Sequence, residues 1–296
     1  MKQLRELAAL HGHQSAIHAL AAEPGGGCLA SASRDRTIRL WAVPEGEPII
    51  TLTGHRGPVH DVCFSPDGGW LASGSGDMLV RLWDLNNPGQ TLDLTGQQGA
   101  VEAVVFGGGG AQLACGWNMW SYGFITLHER ASGAVLLTHQ MAHGQLVFDL
   151  DYHPERGYAA ALAAGFILLL CGGEVSTLRA HGEAVRCAAF SPDGSLLASG
   201  AADGLIRLWA MPDTSPAGTL KGHTRAVRCL SWSPDGARLA SGGDDGAIWL
   251  WEAGGQGEMA LPDAGHGSIQ GLAWAAGGQL LASAGDDGVI RLWKQL

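Results

Sequence analysis

Basic charge is in short supply in this chain: 18 Lys and Arg stand against 28 Asp and Glu, for a formal net charge of −10. Such a balance repels phosphate backbones and anionic lipid headgroups, so neither nucleic acid nor a membrane surface is expected as a partner. Charge of either sign is sparse, at 16% of residues, which excludes a solvated, disordered polypeptide. No apolar run is long enough to cross a bilayer, and the opening Met1-Lys2-Gln3-Leu4-Arg5-Glu6-Leu7 alternates charges where a secretory signal would be apolar. The six cysteines, at 28, 63, 115, 171, 187 and 229, never adopt a C-x-x-C spacing. Most lie in strand-like apolar runs, and they read as reduced core thiols of a cytoplasmic protein. Proline is scarce too, with twelve against 46 glycines, as expected of a chain that turns every several residues.

What fills the chain is repetition. Seven near-copies of one phrase, about 42 residues long, run from Leu10 to the C-terminus. Trp41 to Trp83, Trp209 to Trp251 and Trp251 to Trp293 are each 42 residues apart. The clearest copies run from Gly54-His55 to Trp83-Asp84, from Ala180-His181 to Trp209 and from Gly222-His223 to Trp251. In the second copy the short apolar runs Val59 to Phe64, Leu71 to Ser75 and Leu79 to Trp83 read as strands. The break Ser65-Pro66-Asp67-Gly68, repeated at Ser191 to Gly194 and Ser233 to Gly236, reads as a hairpin turn. A period near 42 that starts on Gly-His and ends on Trp-Asp marks four-stranded propeller blades. At these residues the chain resembles the WD-repeat β-propeller family over essentially its whole length. The expected fold is all-β: one seven-bladed propeller of four-stranded antiparallel blades, spanning about 10–52, 53–94, 95–139, 140–178, 179–220, 221–261 and 262–296. The last repeat stops at its third strand, so residues 4–10 are expected to complete that blade and remove an exposed edge.

The resemblance implies a hydrogen-bonded tetrad of His, Ser, Asp and Trp inside each blade. Five repeats match it fully: His13, Ser31, Asp35 and Trp41; His55, Ser73, Asp77 and Trp83; His181, Ser199, Asp203 and Trp209; His223, Ser241, Asp245 and Trp251; His266, Ser283, Asp287 and Trp293. A Ser, a His and an Asp together suggest a hydrolase, yet a nucleophile is needed once, and five copies at one period argue for architecture. Repeat three departs, with Gln97 for His, Cys115 for Ser, and an insertion within Gly116 to Gly123 read as a loop between its second and third strands. In repeat four the Ser, Asp and Trp positions become Ala160, Ala164 and Leu170, so that blade is expected to be held by apolar packing alone.

Function is sought where the repeat varies. The residue after the apolar start of each first strand is His18, His60, Glu102, Phe148, Arg186, Arg228 and Gln270 in turn, on the face where partners of the family often dock. The insertion brings Trp117, Met119, Trp120 and Tyr122 toward the side of Phe148; these aromatics either form an exposed docking patch or fold inward to replace the missing tetrads. His18 and His60 could share a metal but lack an evident third ligand, so no metal site is assigned. Arg39, Arg81, Arg207 and Arg291, two residues before each Trp, fit stacking better than phosphate binding. Gly107 to Gly110 opens no helix and is no phosphate loop. The reading is a non-catalytic scaffold for protein or peptide partners, with no cofactor. The alternatives are a ligand-binding or enzymatic propeller using the channel mouth, and a self-assembling disc.

Overall fold

A computed structural model describes residues 4–254, 257–261 and 263–295. Met1, Lys2 and Gln3 of the opening segment, Pro262 at the start of the seventh expected blade and Leu296 lie outside the described residues. Seven four-stranded antiparallel sheets stand in a ring, each with its first strand innermost. Blade two shows the logic: Val59–Phe64, Trp70–Ser75, Val80–Asp84 and Thr91–Leu94 are its strands. Both faces of a blade are covered by neighbours, so its middle strands are buried continuously instead of alternately. Their small residues let adjacent blades approach. At Gly116 an added Cβ would lie 2.5 Å from Val147 Cγ1 of the next blade. Among the described residues seven apolar clusters form the core, and they bridge adjacent blades: Ala30, Ile38 and Leu40 of blade one pack on Val62, Phe64 and Leu71 of blade two.

The ring closes as the sequence implies. Leu4–Leu10 pairs antiparallel with Ile290–Gln295 and completes the last blade, while the inner strand Ile17–Ala22 packs against the last inner strand, Ile269–Ala275. Among the described residues no helix is long and apolar enough to cross a membrane.

Repeats three and four adopt the same blade despite their sequences. The insertion in repeat three is not a loop: Gln112–Met119 and Tyr122–Glu129 stay paired to their ends, and only Trp120 and Ser121 turn. Blade four, in turn, is not held by apolar packing alone. Ala160 and Leu170 do sit in an apolar cluster, but Asp149 and Asp151 accept hydrogen bonds from the backbone N–H groups of Ala188 and Phe190 in blade five, at 3.0 and 2.7 Å.

Candidate functional site

The five tetrads share one geometry. Each Trp Nε1–H donates to the Ser Oγ at 2.7–3.0 Å. That hydroxyl lies 2.7–2.9 Å from His Nε2, and His Nδ1 lies 2.8–3.1 Å from the nearer Asp oxygen. A carboxylate can only accept, so Nδ1 carries the ring proton, Nε2 is left as an acceptor, and the serine donates to it. Burial lowers the pKa of all five histidines despite the opposing Asp, which keeps the rings neutral and the relay intact. The serines are fully buried. The relay therefore holds strands together and presents no hydroxyl to a substrate.

Blade three builds a substitute that the tetrad pattern does not spell. Gln97 Nε2 lies 3.0 Å from His128 Nε2 and 3.5 Å from Cys115 Sγ, all buried, in the places of His, Trp and Ser. Beside it Trp117 is buried, stacks on Phe124 with ring centroids 4.1 Å apart, and donates from Nε1 to Thr126 at 3.0 Å.

Outside the tetrads, one backbone device recurs in every inner strand. Its register against the second strand skips a single residue, between Ile17 and Ala19 in blade one and at the equivalent step in the other six. The skipped residues are His18, His60, Glu102, Phe148, Arg186, Arg228 and Gln270. A β-bulge takes its extra residue out of the ladder and re-aims the side chain. All seven converge on the central channel and line a cavity of about 340 Å³ at its mouth.

The charges there are specific to each blade. Glu102 Oε2 lies 3.1 Å from His60 Nδ1, so the carboxylate that follows the two histidines in the rim series stands beside the second of them. Burial would lower His60, but the Glu102 carboxylate overcomes it and raises the pKa above its usual value. His18, 5.5 Å from His60 between ring centroids, is lowered by burial and by the charge on His60, and its Nδ1 lies 3.2 Å from the Val59 carbonyl. Among the described residues no three His, Cys, Asp or Glu side chains converge as metal ligands. Arg228 makes a two-pronged ion pair with Asp244, at 2.7 and 2.8 Å. Arg186 lies over the Phe148 ring, 4.3 Å from its centroid, with its Nε buried and lacking a hydrogen-bond partner.

Below the mouth sit two carboxylates that sequence reasoning passed over. Asp61 accepts from the Val104 N–H of blade three at 2.8 Å, and Asp149 accepts from Ala188 as described. Burial raises Asp61 to about 7 and Asp149 to about 8.

The aromatic group of the insertion is divided. Trp117 faces inward, Phe148 lies in the channel mouth, and Met119 and Tyr122 are half-buried, with the Tyr122 ring edge-on to His143 at 5.3 Å. Asn118 ties the hairpin to blade four, donating to the Val147 carbonyl at 2.7 Å and accepting from its N–H at 2.8 Å. Trp120 is 90% exposed at a φ of +57°, left-handed backbone that a bulky residue rarely adopts. This hairpin turn joins the second and third strands, as do the turns carrying the tetrad Asp residues, so Trp120 stands on the same face as the mouth. The stacking arginines are mixed: Arg81 lies 5.4 Å from the Trp83 ring centroid, whereas Arg207 donates to the Ala180 carbonyl and Arg291 pairs with Asp287.

Comparison with known proteins agrees with this architecture. The family model described as "WD domain, G-beta repeat" matches residues 4–42, 46–84, 172–210, 214–252 and 261–294, leaving out the two divergent repeats. Serine-threonine kinase receptor-associated proteins of cattle, rat and human are each 39% identical over 61 residues. That match covers 19% of this chain and 17% of each relative's length.

Proposed function

Because this chain belongs to the WD-repeat β-propeller family, we propose that it is a non-catalytic platform that docks a protein partner on the face bearing the channel mouth. The observation that carries this reading is the contrast on one ring: a repeated blade scaffold, five of its members built on one buried relay, presents seven side chains of five different types around a concave mouth. Trp120 adds an exposed aromatic anchor on the same face, the residue type that dominates interface energetics. The partial match to receptor-associated proteins supports the general class and names no partner for this chain.

The test compares complexes recovered from native lysate with the parent, Trp120→Ala, Phe148→Ala and, as a control, Glu155→Ala. Glu155 is exposed in the turn joining the first and second strands of blade four, on the opposite face. Loss of the same partner from the two mouth-face variants, with the control unaffected, supports the platform. Identical recovery by all four proteins refutes docking on this face.

A further inference from the structure

We infer that the channel mouth is a receptor for a single carboxylate side chain of an acidic partner segment, gripped by Arg186. The inference rests on the docking reading above and specifies its chemistry.

The charges of the mouth are nearly all spoken for. Glu102 is paired with His60 and Arg228 with Asp244. Arg186 has no ion pair among the described residues, its Nε is a buried donor without an acceptor, and the charges acting on it are Arg228, which opposes its own, and Asp244, already gripped by Arg228. A buried donor left unpaired is costly, and a guanidinium presents a planar fork suited to a carboxylate. Phe148 supports the flat face of that guanidinium, which fixes its orientation and leaves its edge for a ligand. The two aspartates beneath the mouth are each occupied by a backbone N–H of the next blade and do not reach Arg186 as ion-pair partners. The mouth thus holds one guanidinium with no carboxylate ion-paired to it, in a chain whose net charge is −10.

That contrast selects the occupant. The overall charge opposes a polyanion such as nucleic acid, which would have to approach many acidic groups to reach one arginine. A lone Asp or Glu on a peptide carries one charge, and a cavity of about 340 Å³ admits a side chain and its flanking backbone. Once seated, the carboxylate neutralises Arg186 and satisfies its Nε in a site partly screened from water, where a charge-assisted hydrogen bond is strong.

The test follows the Arg186 Nε–H signal by NMR in arginine-labelled protein during titration with three probes: N-acetyl-Ala-Glu-Ala-amide, its Gln counterpart and inorganic phosphate. The Glu tripeptide should shift that signal and bind at least about tenfold more tightly than the Gln tripeptide. Arg186→Gln should abolish the difference without lowering the melting temperature, and Arg186→Lys should weaken it, since a point charge cannot reproduce the fork. Equal binding of Glu and Gln tripeptides, no shift at Arg186, or a response to phosphate alone would overturn the proposal. The two readings fail separately. If Trp120→Ala and Phe148→Ala lose the native partner while the Glu tripeptide does not bind, the platform stands and the carboxylate receptor falls.

Discussion

Replacing Ser241 with alanine removes one oxygen and should cost more than any exposed substitution, because that oxygen is the hub of a relay. Trp251 Nε1–H donates to it at 2.8 Å and it lies 2.9 Å from the His223 Nε2 acceptor. Ser241 is fully buried, Trp251 is 3% exposed, and Asp245 holds His223 so that its ring cannot turn to another partner. The variant leaves one donor and one acceptor in a dry site. At about 1–3 kcal/mol for each orphaned group, the expected loss is about 2–6 kcal/mol, with almost no cavity contribution because the β-carbon stays. For a domain of this size that corresponds to a fall of at least about 4 °C in melting temperature. Urea unfolding followed by circular dichroism, beside Ser176→Ala on an exposed outer strand, gives the comparison. A Ser241→Ala midpoint indistinguishable from that of Ser176→Ala would refute the relay as a source of stability.

The two tryptophans of the blade-three hairpin should behave oppositely: Trp117→Ala costs about 3–5 kcal/mol through a cavity and the lost hydrogen bond to Thr126, whereas Trp120→Gly leaves stability unchanged or raises it by about 1 kcal/mol by relieving left-handed backbone. A thermal scan in which both lose equally would contradict their placement. Removing residues 1–10 strips the Leu4–Leu10 strand from Ile290–Gln295 and should give a protein that melts lower and aggregates through its opened edge; light scattering showing a stable monomer would count against closure by this strand. On the acid side, the relay histidines have pKa values lowered by burial, so the unfolded chain takes up protons that the folded one refuses, and stability should decline as pH drops below about 6.5. On the alkaline side, Asp149, raised to about 8, favours its protonated form when folded; the stability it gives is complete below about pH 4 and erodes as pH climbs through 8, so Asp149→Asn should flatten the fall in urea midpoint between pH 6 and 9, and an unaltered slope would disprove its part in that fall.

The period made most of this architecture legible. Trp and Gly-His spacing gives the number of blades, and five tetrads can be named because identical residues recur at identical offsets, while repeats three and four, which lack that Trp, are counted by the period alone. The same spacing locates the seven mouth residues, although nothing in the letters shows that each is a bulge, since a skipped register is a property of two strands and not of one. Blade three hides its relay because Gln97, Cys115 and His128 meet the same geometric need with different atoms. Its insertion looks like a loop because Gly, Asn and Ser interrupt the apolar run, yet the cross-strand partners Trp117 and Phe124 keep the hairpin paired. Asp61 and Asp149 were passed over for a related reason. A carboxylate inside a strand suggests solvent, and only the arrival of the next blade's N–H groups makes burial tolerable.

The bulges also separate the side chains that vary at the mouth from the ones that keep the blades folded. A residue that pairs with nothing in the ladder can be exchanged at little expense to the sheet, so His18, His60, Glu102, Phe148, Arg186, Arg228 and Gln270 amount to seven writable characters on a fixed frame. Each blade supplies one of them, and neighbouring characters sit side by side around a single opening. New specificity can therefore arise by substitution alone, without insertions or repacking, and a library varied at these seven positions would explore binding chemistry while sampling one shape.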